Sequence, residues 1–338
     1  MMFTEIKTIR NVLIPRVRGE NLYFIRDDKL IRSNLNFKEE ILCEVPTDLV
    51  SKGVFYDEFL IIKKKNLFIL LNTNTNDVVK KDFDSVTFYG VMKNKLLFRK
   101  DEEDARYLYV FDFRKWATDF KFEIEVGMVH GHNNVLVHEP LYEKSLLNFY
   151  SFKDGSLLKK LDLNEIKGVP YSSPRFKGFT NIFYENTVIK SLPDWLLISF
   201  DLQSGEVSWV LNNVSHFISF HNNKLFNLDL VNFQIIDPKN GGIESKVDIS
   251  EHFKKHNIEM GSSNSVCITN THLIFTDTWK CQVGALNIET AQLDWVYQVD
   301  VPRRGAPEGG TLPFSPQIEG DRLYILDSEK NLHIFERE

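Results

Sequence analysis

Three histidines lie close together in the stretch "VHGHNNVLVHEP": His130, His132 and His138. On a strand, His130 and His132 project to one face, a spacing at which two imidazoles could share a divalent metal. The triplet "HNN" returns at His221–Asn223, however, at the same place in a longer repeat. His132 and His221 therefore read as turn residues, and His130 and His132 stay weak metal candidates. The acidic run "RKDEEDAR" places Asp101, Glu102, Glu103 and Asp104 in sequence. Carboxylates serve acid–base chemistry and cation binding, but four adjacent acids cannot converge on one point in a hairpin, so the run reads as a solvated tip.

Other chemistry is sparse. There is no Gly-rich phosphate loop, nucleophile elbow or HExxH motif, and no His, Tyr and Arg constellation of a sugar-cleaving propeller. Arg114, Lys115 and Trp116 interleave charge with an aromatic over too short a span to suggest nucleic-acid binding. Cys43, Cys267 and Cys281 are odd in number and dispersed, which suggests neither a disulfide framework nor a metal site. No catalytic residue, metal or other cofactor is expected.

The elements that would position any site are β-strands. The 338 residues include 27 Phe and 11 Tyr, set with Val, Ile and Leu in short runs between clusters of Asn, Asp, Lys and Gly. A net charge of -6 provides no general attraction to nucleic acid or to an anionic membrane. The opening "MMFTEIKTIRNVLIP" mixes charges into its first ten positions, so the expected setting is cytoplasmic, without membrane insertion.

The strands repeat. "LISFDLQSGEVSW" spaces Ser199, Asp201, Ser204, Gly205 and Trp209 as "ALNIETAQLDW" spaces Ala285, Asn287, Thr290, Ala291 and Trp295. Weaker copies of strand, polar turn and return strand surround Asn34, Asn72, Asp112, Ser151 and Asp237, and an eighth around Glu336 breaks off at the C-terminus. A second series marks a turn running into an apolar strand near positions 22, 59, 96, 135, 182, 225, 273 and 323, spaced 37 to 50 residues apart. Two markers with one count predict an all-β chain, an eight-bladed β-propeller of four-stranded antiparallel blades forming a single domain over 1–338, with seven blades as the alternative. The last repeat lacks its outer strand, and Phe3–Ile9 is predicted to supply it, which removes two exposed sheet edges. The tryptophans read as wedges between blades.

At these residues the chain resembles the PQQ-like repeat family of propellers, whose docking motif reads roughly A-x-D-x-x-T-G-x-x-x-W. Trp209 and Trp295 fill the tryptophan position, and "YSSPRF" (171–176) and "FSPQIEGDRLYILD" (314–327) resemble segments that open such blades. The first four blades lack the motif's Gly and Trp together. The quinoprotein dehydrogenases of this fold carry an export signal, a calcium site and usually vicinal cysteines, which the sequence does not reproduce, so the resemblance implies neither quinone nor metal. Many relatives use the fold as a protein-binding scaffold, as in outer-membrane barrel assembly.

Loop lengths suggest where binding would occur. The repeat turns are short, whereas the connections at the opposite blade ends, "LNEIKGVPYSSP", "EHFKKHNIEMGSSNS" and "VPRRGAPEGGTLP", are long, and long loops concentrate function. Trp195, Trp279, Arg303, Arg304 and Glu308 on that rim are the expected partner-binding residues, Trp and Arg being enriched in interface hot spots; Trp195 and Trp279 could equally pack under their own loops. The expected function is a non-catalytic scaffold that binds another protein through one face, and an immunity protein that neutralises a toxin is a role such a propeller suits. The alternative is a carbohydrate-active or small-ligand-binding propeller, enzyme or sensor, using the central channel.

Overall fold

A computed structural model describes residues 2–45, 50–64, 67–83, 86–102, 105–142, 145–165, 181–192, 195–215, 218–259, 266–278, 280–301 and 316–338. The strands form eight four-stranded antiparallel sheets, an eight-bladed β-propeller. Blades 1 to 7 span 13–44, 50–82, 86–123, 127–162, 181–212, 218–248 and 266–298, each in simple meander order. Blade 8 takes three strands from 317–337 and its outer strand from Phe3–Ile9, which pairs antiparallel with Leu332–Arg337. Both the blade count and the closing strand agree with the reading of the repeat. Among the described residues no helix is long and apolar enough to cross a membrane.

The repeated polar turn joins the third and fourth strands of a blade. In all seven blades where the chain is continuous there, the first turn residue folds its side-chain oxygen back onto backbone amides. Asn34, Asn72, Asp112, Ser151, Asp201, Asp237 and Asn287 each accept from a residue two positions on, an Asx-type turn that competes successfully with further strand pairing. Each turn then needs one residue at positive φ. Gly155, Gly205 and Gly241 meet that need without a Cβ, but Phe37, Asn76, Trp116 and Ala291 also adopt it, at φ 55–62°. The turn geometry thus persists in blades whose sequence has lost the glycine. The second marker series is correct in number but misplaced in blade 5: Ile182 lies on the innermost strand, Asn181–Tyr184, and the second strand is Thr187–Leu192, entered through Glu185 at φ 49°.

The tryptophan of the repeat wedges between blades as expected. Trp209 on blade 5 is buried with Ile218, Leu225 and Ile236 of blade 6, and its Nε1 donates to Pro238 O at 3.0 Å. A Cβ at Gly241, where φ is +70°, would stand 2.7 Å from the Trp209 ring. Gly241→Ala is therefore expected to cost about 2 kcal/mol or more, combining left-handed strain with a steric clash. Gly320→Ala, at φ +58° with no atom within 4 Å, should cost only about 1 kcal/mol. Urea denaturation of the two variants measures the difference, and equal losses would remove the wedge's role.

Apolar clusters lie between successive blades, for example Val137, Leu147 and Phe149 of blade 4 against Val188, Ile198 and Phe200 of blade 5. The chain packs into two compact units: Met1–Lys81 with Phe226–Ile235 and Glu244–Glu338, and Asp82–Leu225 with Ile236–Ile243. Lysines on the outer strands, among them Lys80, Lys121 and Lys160, place charge along sheet edges, which discourages edge-to-edge pairing.

Candidate functional site

The exposed aromatic side chains at blade ends direct attention to blades 4 and 5, both within the second unit. Their four strands are Gly127–His132, Val135–Pro140, Leu146–Ser151 and Leu157–Asp162, and Asn181–Tyr184, Thr187–Leu192, Leu196–Asp201 and Val207–Asn212. In a meander the hairpin between the second and third strands emerges at the same blade end as the connection from one blade to the next. At that end Tyr142, on the blade 4 hairpin, is 75% exposed, and Trp195, on the blade 5 hairpin, is 51% exposed.

The backbone beneath both rings is fixed. Leu141 N donates to Val126 O at 2.6 Å, tying the Tyr142 hairpin to the connection from blade 3. Leu163 N donates to Ser145 O at 2.8 Å, tying the other side of the hairpin to the connection toward blade 5. Trp195 sits at φ 62°, and its carbonyl accepts from Val214 N at 2.9 Å. Leu192 and Leu196, which bracket the Trp195 hairpin, are buried between blades 4 and 5. The two rings are therefore displayed from anchored positions, which lowers the entropy cost of using them in a contact.

The strands leading into these hairpins are joined by an ion pair. Lys190 Nζ of blade 5 lies 2.7 Å from Glu139 Oε1 of blade 4, and both side chains are withdrawn from solvent. Burial pulls Lys190 below the ordinary lysine range, and the neighbouring Glu139 carboxylate opposes that shift without cancelling it. His130 Nε2 stands 3.8 Å from the same carboxylate oxygen. His138, on the strand face turned away from Glu139, is buried, and desolvation takes its imidazole down to about 4. It is a neutral core residue at physiological pH.

The predicted site residues distribute as follows. His130 approaches Glu139, while His132 stacks flat on Phe183 of blade 5 with ring centroids 4.8 Å apart. Among the described residues no three side chains of metal-ligating type converge. Asp101 pairs with Arg99 at 2.9 Å and Glu102 with Lys121 of the outer strand at 2.6 Å, so these two acids are engaged within their own blade. Cys267 is half-buried, and desolvation pushes its thiol up to about 12, which favours the protonated, unreactive form. Trp279, Arg303, Arg304, Glu308, Glu103 and Asp104 lie outside the described residues, as do 171–176. Trp195 is thus the expected rim residue that the structure displays. Tyr142 was not singled out by sequence; the signal for it is an aromatic at a hairpin tip in "EPLYEKS".

No protein-family model matches the chain, and no curated protein matches it in sequence. Solved structures resemble it in fold. BamB from Moraxella catarrhalis is 12% identical with a TM-score of 0.63, covering 99% of this chain and 100% of that one. Sqt1 of Saccharomyces cerevisiae is 11% identical with a TM-score of 0.62, covering 99% and 97%. The C-terminal WD40 domain of Sif2 is 10% identical with a TM-score of 0.68, covering 100% and 99%. At these identities the likeness is one of fold, and function has to be argued from residues.

Proposed function

We propose that this chain is a non-catalytic, protein-binding propeller that docks its partner on the blade end carrying Tyr142 and Trp195. The observation that carries the reading is the exposure of both rings, 75% and 51%, on anchored hairpins of adjacent blades. Large exposed aromatics on a rigid scaffold are hot-spot residues by type, combining apolar area with few rotatable bonds. Membership of the PQQ-like repeat family, suggested by the Trp209 and Trp295 turns, belongs to the same proposal, as does the narrower role of an immunity protein whose partner is a toxin.

The test is capture from the native cell on immobilised wild type and on Trp195→Ala and Tyr142→Ala, with thermal melts to establish folding. A partner retained by wild type and reduced about tenfold or more by either substitution is the expected outcome, each ring being worth about 1.4 kcal/mol or more at a hot spot. A partner held equally by all three proteins would place the interface elsewhere. Suppression of the captured partner's toxicity in a co-expression assay decides the immunity role.

A further inference from the structure

We propose that Thr271 is an acyl-acceptor site, a hydroxyl nucleophile that takes an acyl group from an activated ester or thioester with His272 as its general base. The inference is independent of the protein-binding reading above, since the chain is modified once and does not turn over. Thr271 and His272 stand where the innermost strand of blade 7, Val266–Ile268, turns into the second strand, His272–Asp277. Thr269 Oγ1 accepts from His272 N at 2.9 Å, and Thr271 O accepts from Ile288 N at 3.0 Å, so the backbone of the pair is pinned on two sides. Thr271 is exposed and His272 is buried.

Three side chains are joined by two hydrogen bonds. His272 Nε2 lies 2.7 Å from Asp294 Oδ2 on the outer strand of the blade, and His272 Nδ1 lies 2.8 Å from Thr271 Oγ1. The proton positions follow from which groups can donate. The hydrogen bond from His272 holds the Asp294 carboxyl below its ordinary pKa, and an ionised carboxylate can only accept, so Nε2 carries a proton. In the neutral imidazole Nδ1 then presents a lone pair, and the Thr271 hydroxyl donates to it. A hydroxyl on a base that a third group orients is the arrangement that activates a weak nucleophile.

Blade 3 shows what the same framework does without that chemistry. There the second strand opens with Lys95, which pairs with Asp112 and Asp119. Asp119 and Asp294 occupy the same place, each being the residue passed over where the register of third and outer strands shifts. Lys95 follows an asparagine, Asn94, and its ammonium has no lone pair with which to take a proton. Blade 7 puts an imidazole in place of the ammonium and a hydroxyl in front of it.

The step balances without oxidant or reductant. Thr271 Oγ1 attacks the acyl carbon, and the hydroxyl proton passes to His272 Nδ1 while Asp294 steadies the imidazolium. The bond from the acyl carbon to the leaving phenolate or thiolate breaks with its electron pair, and the leaving group takes the proton. The products are a threonyl ester and a phenol or thiol.

The probe is p-nitrophenyl acetate, incubated with the full chain while nitrophenolate release is followed by absorbance and the acetyl group is located by peptide mass spectrometry. A single acetyl group on Thr271 is the expected product. Thr271→Val, an exposed and nearly isosteric change, should keep the wild-type melting temperature and lose that label, whereas Thr271→Ser should keep it. His272→Gln should slow labelling by about a hundredfold or more. Asp294 is a positioning residue: Asp294→Asn lets an amide donate to Nε2, so nitrogen NMR should show the His272 proton moved from Nε2 to Nδ1 as labelling slows. Acetylation confined to lysines, or equal label at residues 266–277 in Thr271→Val, overturns the inference. So does a wild-type His272 protonated on Nδ1 alone, a result that stands even if His272→Gln fails to fold.

Discussion

Glu139→Gln is expected to lower folding stability by about 3–5 kcal/mol, because it leaves the Lys190 ammonium buried without its counter-charge. The pair is 2.7 Å long and both side chains are largely withdrawn from water, so the remaining charge cannot be resolvated without opening the contact between blades 4 and 5. The double variant Glu139→Leu/Lys190→Met removes both charges and should recover most of the loss, since apolar replacement of a whole buried pair is often neutral or stabilising. The deficit of the single variant should also depend on pH. Burial already holds the folded-state pKa of Lys190 below its ordinary 10.5, and losing Glu139 removes a carboxylate that opposes that shift. The unfolded chain then binds more protons than the folded one, so stability rises with pH and the deficit narrows toward alkaline conditions. Urea denaturation of wild type and the two variants across this pH range measures it. A loss below about 1 kcal/mol in Glu139→Gln, or a double variant as unstable as the single, would show that the pair is not coupled in this way.

The architecture could be read from the sequence because the repeat is enforced by backbone requirements. An Asx-type turn needs Asp, Asn or Ser at its first position, and residues 34, 72, 112, 151, 201, 237 and 287 all comply. The glycine is a preference and not a requirement. A left-handed Phe37, Asn76 or Trp116 costs on the order of 1 kcal/mol or more, a strain that surrounding structure can carry. The family motif consequently fades in the early blades while the turns remain. The blade 5 marker was misplaced for a related reason: "FTNIFY" and "ENTVIK" both read as a polar turn before an apolar run, and only the pairing of Asn181–Tyr184 with Thr187–Leu192 separates them.

The site was less legible. Trp195 could be named from residue type and loop position, but the hairpin of Tyr142 is short and gives no length signal. The Glu139–Lys190 pair joins two strands on different blades, and no local pattern specifies which residues meet across a blade interface.

The closing strand carries the second large effect, since it is latched by charge as well as by pairing. His333, on the strand beside Phe3–Ile9, is buried with Nδ1 3.0 Å from Glu5 Oε1 and Nε2 3.1 Å from Asp327 Oδ2. Both partners are acceptors, so a neutral imidazole would turn a lone pair toward one of them, and the arrangement demands the imidazolium. Burial disfavours that charge, but the hydrogen bonds His333 donates to Asp327 and Glu5 prevail and raise the His333 pKa. Burial likewise works against the Glu5 carboxylate, and its bonds from Thr8, His333 and Tyr297 outweigh it and lower its pKa. Asp327 is lowered against burial by His333 and Asn331. The raised histidine contributes stability that is complete below its unfolded value of 6.5 and is lost as pH rises through the folded one. The lowered carboxylates contribute stability that is present above their unfolded values of 4.5 and 3.8 and is lost as pH falls. The latch is therefore strongest between about pH 4.5 and 6.5. At pH 5.5 His333→Gln should cost about 3–5 kcal/mol, having left the buried Asp327 carboxylate without its cation, and the gap to wild type should shrink as the solution is made alkaline. Deleting residues 1–9 removes buried Phe3 and Ile9 together with the latch and should lower the melting temperature further than His333→Gln does. Thermal melts of the three proteins across this range would refute the latch if His333→Gln ran parallel to wild type at every pH.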